Sequence, residues 1–149
     1  VGVKIEIDNN KIYLMANNLS ISPVDISTDI YPAFPTDLQA QWMALMTQAN
    51  GSSVITENVY MDRFTHISEL SRFGAGISLV DNKAFVKGND SLISAPVMST
   101  DIRASASLII AALAAKGSSE ISRIYHIDRG YENIEEKLSA LGADILRKI

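Results

Sequence analysis

The chain opens in strict alternation. Val3, Ile5 and Ile7 are separated by Lys4, Glu6 and Asp8, and a second β-rich run, Lys11 to Met15, follows an Asn9–Asn10 turn. Period-two alternation on both sides of a short Asn/Asp turn predicts a β-hairpin. The same pattern returns 72 residues later, where "GAGISLVDNKAFVK" from Gly74 matches "GVKIEIDNNKIYLM" from Gly2. A third copy starts at "LGADILRKI", residues 141–149.

The segments between the hairpins also pair off. "PTDLQAQWMALMTQANGSSVI" (residues 35–55) parallels "STDIRASASLIIAALAAKGSSEI" (99–121), and "VYMDRFTHISELSRFGA" (59–75) parallels "IYHIDRGYENIEEKLSALGA" (124–143). A recurring helix, strand, helix and hairpin is the mark of an internal repeat. The expected organisation is one unit at 35–98 and one at 99–149, with a third hairpin beginning at 141–149. Residues 1–34 then hold the closing hairpin of a preceding repeat and a linker.

Apolar spacing ranks the helices by depth. "IRASASLIIAALAAK" is small or apolar nearly all round, as a buried helix is, whereas "NIEEKLSALG" carries its charges on one side. Thr36 with Gln39 has the spacing of a capping box, and Thr100 is placed to cap the second helix with Asp101 in its first turn. Gly51 and Gly117 are placed to end these helices. One deep and one shallow helix per unit, with the hairpins outside, predicts an α/β (α+β) fold. Its form is an inside-out barrel of pseudo-symmetric repeats, helices buried and sheets outside. With the repeats incomplete, one apolar face is expected to stay exposed.

Composition narrows the function. With 149 residues and 47% hydrophobic content the chain is long enough for a real core. A net charge of −4 argues against a nucleic-acid coat or a polybasic membrane surface. The absence of cysteine excludes disulfides and thiolate metal sites, and two histidines are too few for a His-rich metal site. No apolar run is long enough to span a bilayer. The expectations are therefore no metal, no nucleic acid and no membrane.

The informative charges fall at matching points of the repeat. Asp37 and Asp101 open the two deep helices, and Arg63 and Arg129 each precede a shallow one. Arg103 lies in the first turn of its helix, where unpaired backbone N–H groups already carry partial positive charge. A cation there is unfavourable unless an anion meets it. Pseudo-symmetry would bring Asp37, Asp101, Arg63, Arg103 and Arg129 to one rim, an arrangement suited to phosphate or carboxylate. The structural alternative is that Asp62–Arg63 and Asp128–Arg129 are repeated salt bridges. Tyr60, Tyr125, Trp42 and Met43 read as packing residues, and His66 and His126 as surface or capping groups.

The strings "YPAFPTDLQAQ", "MSTDIRASASL" and "IYHIDRGYENIEEKLSALGADI" resemble the C-terminal part of the enolpyruvyl transferases, in particular the branch acting on UDP-N-acetylglucosamine. The shikimate branch is less similar. The resemblance implies transfer of the enolpyruvyl group of phosphoenolpyruvate to the 3′-hydroxyl of UDP-N-acetylglucosamine with release of phosphate, through addition and elimination. That is the first committed step of peptidoglycan precursor synthesis, and so belongs to cell-wall biogenesis and division. It implies Asp37 as the sugar-binding carboxylate and base, with Thr36, Val59 and Tyr60 beside the UDP-sugar. Arg103 and Arg129 fall to phosphoenolpyruvate, Arg63 to the cleft and Asp101 to the reacting centre. It further implies no metal or organic cofactor, a cytoplasmic location, and an N-terminal domain of the same protein that carries the general-acid cysteine. The isolated chain is therefore expected to lack turnover.

Overall fold

The structure, a computed structural model, describes residues 1–16, 20–88 and 91–148. Both alternating segments form hairpins. β1 (Lys4–Asp8) pairs antiparallel with β2 (Lys11–Met15), and β5 (Gly76–Val80) with β6 (Lys83–Lys87). The first loop residue takes a left-handed conformation in both, with φ +46° at Asn9 and +52° at Asp81. Asn and Asp tolerate that region better than other side chains, so the two loops are equivalent in chemistry as well as position.

The second hairpin belongs to a four-stranded sheet ordered β3–β4–β6–β5, in which β3 is Ile26–Ser27 and β4 is Ser52–Thr56. β3 and β4 run parallel, and the connection between them holds the first deep helix, α1 (Gln39–Met46). The design recurs around α3 (Ile102–Ala114), where β7 (Pro96–Met98) pairs parallel with β8 (Glu120–Ser122). The short strand ahead of each deep helix thus pairs with the strand behind it. These strands, 26–27 and 96–98, are too short to carry a period and fall in the sequence where a linker and the end of a repeat are expected.

α1 and α3 pack on each other, and the sheet covers α1 through Ser53, Ile55, Ala84 and Val86. Met43, Met46, Leu70, Phe73, Leu92 and Leu108 complete the core. Buried serines in α3 satisfy themselves on their own helix, Ser105 Oγ donating to the Asp101 carbonyl and Ser107 Oγ to that of Ala104. Small side chains with internally paired hydroxyls are what let α3 be buried on nearly every side. The shallow helices are α2 (His66–Arg72), the short α4 (Tyr125–Asp128) and α5 (Ile134–Ala140), which has no fully buried residue. None of the described helices is long and apolar enough to cross a membrane.

Several local expectations are corrected. The capping box at Thr36 and Gln39 does not form. A 3-10 turn (Thr36–Leu38) precedes α1, and the Thr36 hydroxyl goes to Glu57. α3 is capped by Asp101, not Thr100, the Asp101 carboxylate accepting from the backbone N–H groups of Arg103 and Ala104. Gly51 and Gly117 do take positive φ, but in the turns beyond α1 and α3, whose ends are capped by Thr47 and Ala115. Residues 141–148, where a third hairpin was expected to start, form no strand; Ile149 lies outside the described residues. Exposed apolar surface is concentrated on hairpin β1–β2, where Ile5, Ile7, Ile12 and Leu14 face solvent, and also occurs at the end of α3, where Leu113 is about half exposed.

Candidate functional site

α1 and α3 pack on each other, and Asp37 from the turn before α1 meets Arg103 from the first turn of α3. Arg103 Nε donates to Asp37 Oδ1 at 2.5 Å, and Arg63 Nη1 donates to the same oxygen at 2.7 Å. One carboxylate thus gathers two guanidiniums, one from the turn before α2 and one from the first turn of α3. Asp37 remains 63% exposed at its side chain and Arg103 37%, so the cluster is open to a ligand. The Arg103 guanidinium foremost, then that of Arg63, holds the Asp37 carboxyl below the usual carboxylate range. Asp37 is therefore an anion at any physiological pH.

The anion that meets Arg103 inside the chain is thus Asp37. With two cations and one anion, the cluster retains net positive charge and forked N–H donors, the donor set of a phosphate or carboxylate site.

Neither of the salt bridges weighed as the structural alternative forms. Arg63 turns to Asp37 and lies 5.5 Å over the Tyr60 ring, while Asp128 pairs with Arg147. Asp101 spends its carboxylate on the α3 cap. Arg129 is exposed, with no side-chain hydrogen bond or ion pair among the described residues; the structure does not join it to the Asp37 cluster. Tyr60 and Tyr125 are half exposed rather than packed, Tyr125 tilting against His126 with ring centres 4.3 Å apart. His66 is buried at 2% exposure, not a surface group, and its pKa is pushed down to about 4 by burial, against the opposing pull of Asp101 and the Arg63 backbone. Met43 is core; Trp42 is half buried, edge-on to Phe34.

Two elements of the site escaped sequence reasoning. Glu57 is fully buried, with Oε1 accepting from Thr28 Oγ1 (2.7 Å), Val59 N (2.9 Å) and Tyr60 N (3.0 Å), and Oε2 from Thr36 Oγ1 (2.8 Å). It ties Thr36 to the Val59–Tyr60 turn. Burial alone would raise its pKa, but the four hydrogen bonds outweigh it and leave the carboxyl below its ordinary value. Arg147 binds Asp128 through both terminal nitrogens and Glu135 through Nε and Nη2, pinning residues 143–148 to the turn that carries Arg129. The signal for Glu57 was an acidic residue ending an apolar strand; Arg147 gave none, because its partners lie 12 and 19 residues away.

No cluster of three or more His, Asp or Glu side chains placed to hold a metal occurs among the described residues. A broad groove of about 960 Å³ runs between β8, α3 and residues 142–148, and none of the Asp37 cluster lines it.

Residues 1–138 match the family described as EPSP synthase (3-phosphoshikimate 1-carboxyvinyltransferase). The chain belongs to this family. Among the relatives of this EPSP synthase family chain is the UDP-N-acetylglucosamine 1-carboxyvinyltransferase of Chlorobium phaeovibrioides, 59% identical over 129 residues, covering 87% of the chain and 30% of the relative. The enzyme of the same name from Rhodopseudomonas palustris is 56% identical over 146 residues, covering 98% and 34%. The chain thus spans about a third of the length of these curated relatives. In structure it resembles the enolpyruvyl transferase NikO from Streptomyces tendae, with a TM-score of 0.87 at 29% identity over 99% of the chain and 34% of that protein. EPSP synthase from Acinetobacter baumannii, at 15% identity and TM-score 0.68 over 99% of the chain and 34% of that protein, shares the fold.

Proposed function

We propose that the whole enzyme to which this chain contributes transfers the enolpyruvyl group of phosphoenolpyruvate to the 3′-hydroxyl of UDP-N-acetylglucosamine and releases phosphate. The observation that carries this reading is the Asp37 carboxylate held between Arg63 and Arg103, in a chain 59% and 56% identical to enzymes named for that reaction.

Asp37 is the acceptor-side group, placed to hydrogen-bond the attacking hydroxyl and take its proton as the C–O bond forms. Arg103 is the donor-side group for the phosphate or carboxylate of phosphoenolpyruvate, joined by Arg129 when the site closes. Arg63 holds Asp37 in place. Thr36, Val59 and Tyr60 face the UDP-sugar, and Asp101 orients Arg103 through the cap it provides. Elimination of phosphate from the tetrahedral adduct then regenerates the enol ether. The remaining two thirds of the protein provide the opposite wall and the general acid, the repeats close into an inside-out barrel, and the enzyme works in the cytoplasm where both substrates are made. Preorganised guanidiniums in a closed cleft are worth several orders of magnitude in rate.

The test is Arg103→Ala in the whole enzyme, with phosphate release and thermal melting measured together. Loss of about a hundredfold or more in turnover with an unchanged melting temperature is expected. A lowered melting temperature with full activity per folded molecule would mean that the Asp/Arg cluster only braces the repeats. The family's own description favours a second acceptor, shikimate 3-phosphate. Calorimetric titration with each acceptor separates the two, and binding of shikimate 3-phosphate but not the UDP-sugar would overturn the first.

A further inference from the structure

Glu57 poses a question of charge. It is fully buried, it has no cationic partner among the described residues, and four hydrogen bonds favour its ionised form against burial. A buried anion carries a large desolvation penalty, so a neutral group that made the same contacts would be preferred for structure alone. Glutamine has the same shape. Its single carbonyl oxygen could accept the three bonds that Glu57 Oε1 now takes, from Thr28, Val59 and Tyr60. Only the fourth bond needs the second carboxylate oxygen, the one that accepts from the Thr36 hydroxyl at 2.8 Å. An amide there would present N–H to Thr36 and reverse the direction of that bond.

We propose that Glu57 is a positioning residue that commits the Thr36 hydroxyl as a donor inward, so that the side chains of Thr36 and Asp37 together offer a ligand only hydrogen-bond acceptors. The inference rests on the acceptor-sugar reading of this site. Thr28 is an internal precedent. Its hydroxyl donates to Glu57, and its oxygen then accepts from the Asn58 backbone N–H at 2.9 Å. Thr36 is treated the same way, but it is only partly buried and it adjoins the exposed carboxylate. An acceptor-only edge selects hydroxyl or amide N–H groups, as on a sugar, and repels phosphate and carboxylate, which the arginine side attracts. Glu57 therefore sorts the two substrates by the polarity of one hydrogen bond. Through Val59 N and Tyr60 N it also fixes the turn that faces the same ligand.

The experiment is steady-state kinetics of Glu57→Gln in the whole enzyme, with UDP-N-acetylglucosamine and phosphoenolpyruvate varied separately. The KM for the sugar nucleotide is expected to rise about tenfold while that for phosphoenolpyruvate stays within about twofold, the loss of one partly buried hydrogen bond of fixed direction. Thr36→Val should reproduce the split, Thr36→Ser should restore most of it, and the double variant Glu57→Gln/Thr36→Val should be no worse than Thr36→Val alone. Unchanged KM values in Glu57→Gln, or equal rises for both substrates, would overturn the proposal. Should Glu57→Gln not fold, the Thr36 pair decides, and wild-type kinetics in Thr36→Val would overturn it. Wild-type enzyme is the control for the underlying reading. If it turns over shikimate 3-phosphate instead, the UDP-sugar assignment fails, and the same split read with that hydroxyl-bearing acceptor still decides Glu57.

Discussion

Burial of His66 makes the stability of the chain depend on pH in a window where few other groups act. The folded state holds this ring neutral down to about pH 4, whereas the unfolded chain takes up the proton near 6.5. Between those values the unfolded state binds more protons, so stability rises with pH, is complete above 6.5 and is lost as pH falls toward 4. At pH 5 the unfolded chain gains a factor of about 30 in statistical weight relative to pH 8, equivalent to about 2 kcal/mol. The depressed carboxylates Asp37, Glu57, Asp128 and Glu135 act in the same sense but in a lower pH window. Their stabilisation is present above the unfolded carboxyl values of about 4 and fades only below them. Urea unfolding followed through Trp42, the single tryptophan, should therefore show a midpoint about 1 M lower at pH 5 than at pH 8. His66→Asn, which keeps a polar group of similar reach but cannot titrate, should lose most of that difference. Equal midpoint shifts in the two proteins, or no shift in either, would refute the reasoning.

Other consequences are equally direct. Asp37→Asn should leave the melting temperature within a few degrees of the parent, since an exposed ion pair contributes at most about 1 kcal/mol, yet abolish most phosphate release by the whole enzyme. Asp101→Ala should cost about 1 kcal/mol in chemical denaturation through loss of the α3 cap, and Asp101→Asn should recover most of it. Gly88→Ala should cost roughly 3 kcal/mol, because a Cβ there would collide with the backbone carbonyls of Ala49, Gly51 and Met46, none of which can swing aside. Arg147→Ala should speed limited proteolysis within residues 141–148, and Arg147→Lys should not restore protection, because an ammonium cannot serve both Asp128 and Glu135 in forked geometry.

The repeat carried most of what was legible before the structure. The paired hairpins, the deep α3 and the shallow α5 follow from period and composition, which act locally. Repeat equivalence anticipates the contact of Asp37 with Arg63 and Arg103 seen in the structure, whereas Arg129 does not join them and Asp101 touches Arg103 only through its backbone N–H. Asp101 shows why. Its motif, Thr-Asp, is identical to that of Asp37, yet Asp101 folds back on its own helix and Asp37 reaches away from its own. The choice depends on whether a guanidinium arrives from another segment, which no local pattern encodes. Glu57 was missed for a related reason. Its partners Thr28 and Thr36 lie 29 and 21 residues away, and an acidic residue after a strand ordinarily reads as solvent-facing.

That divergence between twin motifs bears on engineering. Stabilising a duplicated protein by averaging its copies assumes that equivalent positions want the same residue. Here the partner of Arg103 in the other copy is Gln39, which is fully buried, with no hydrogen-bond partner for its amide among the described residues. Carrying arginine into position 39 would bury an unbalanced charge, and carrying glutamine into 103 would leave Asp37 with one guanidinium instead of two. Homogenising the copies would therefore erase the chemistry that their divergence made room for.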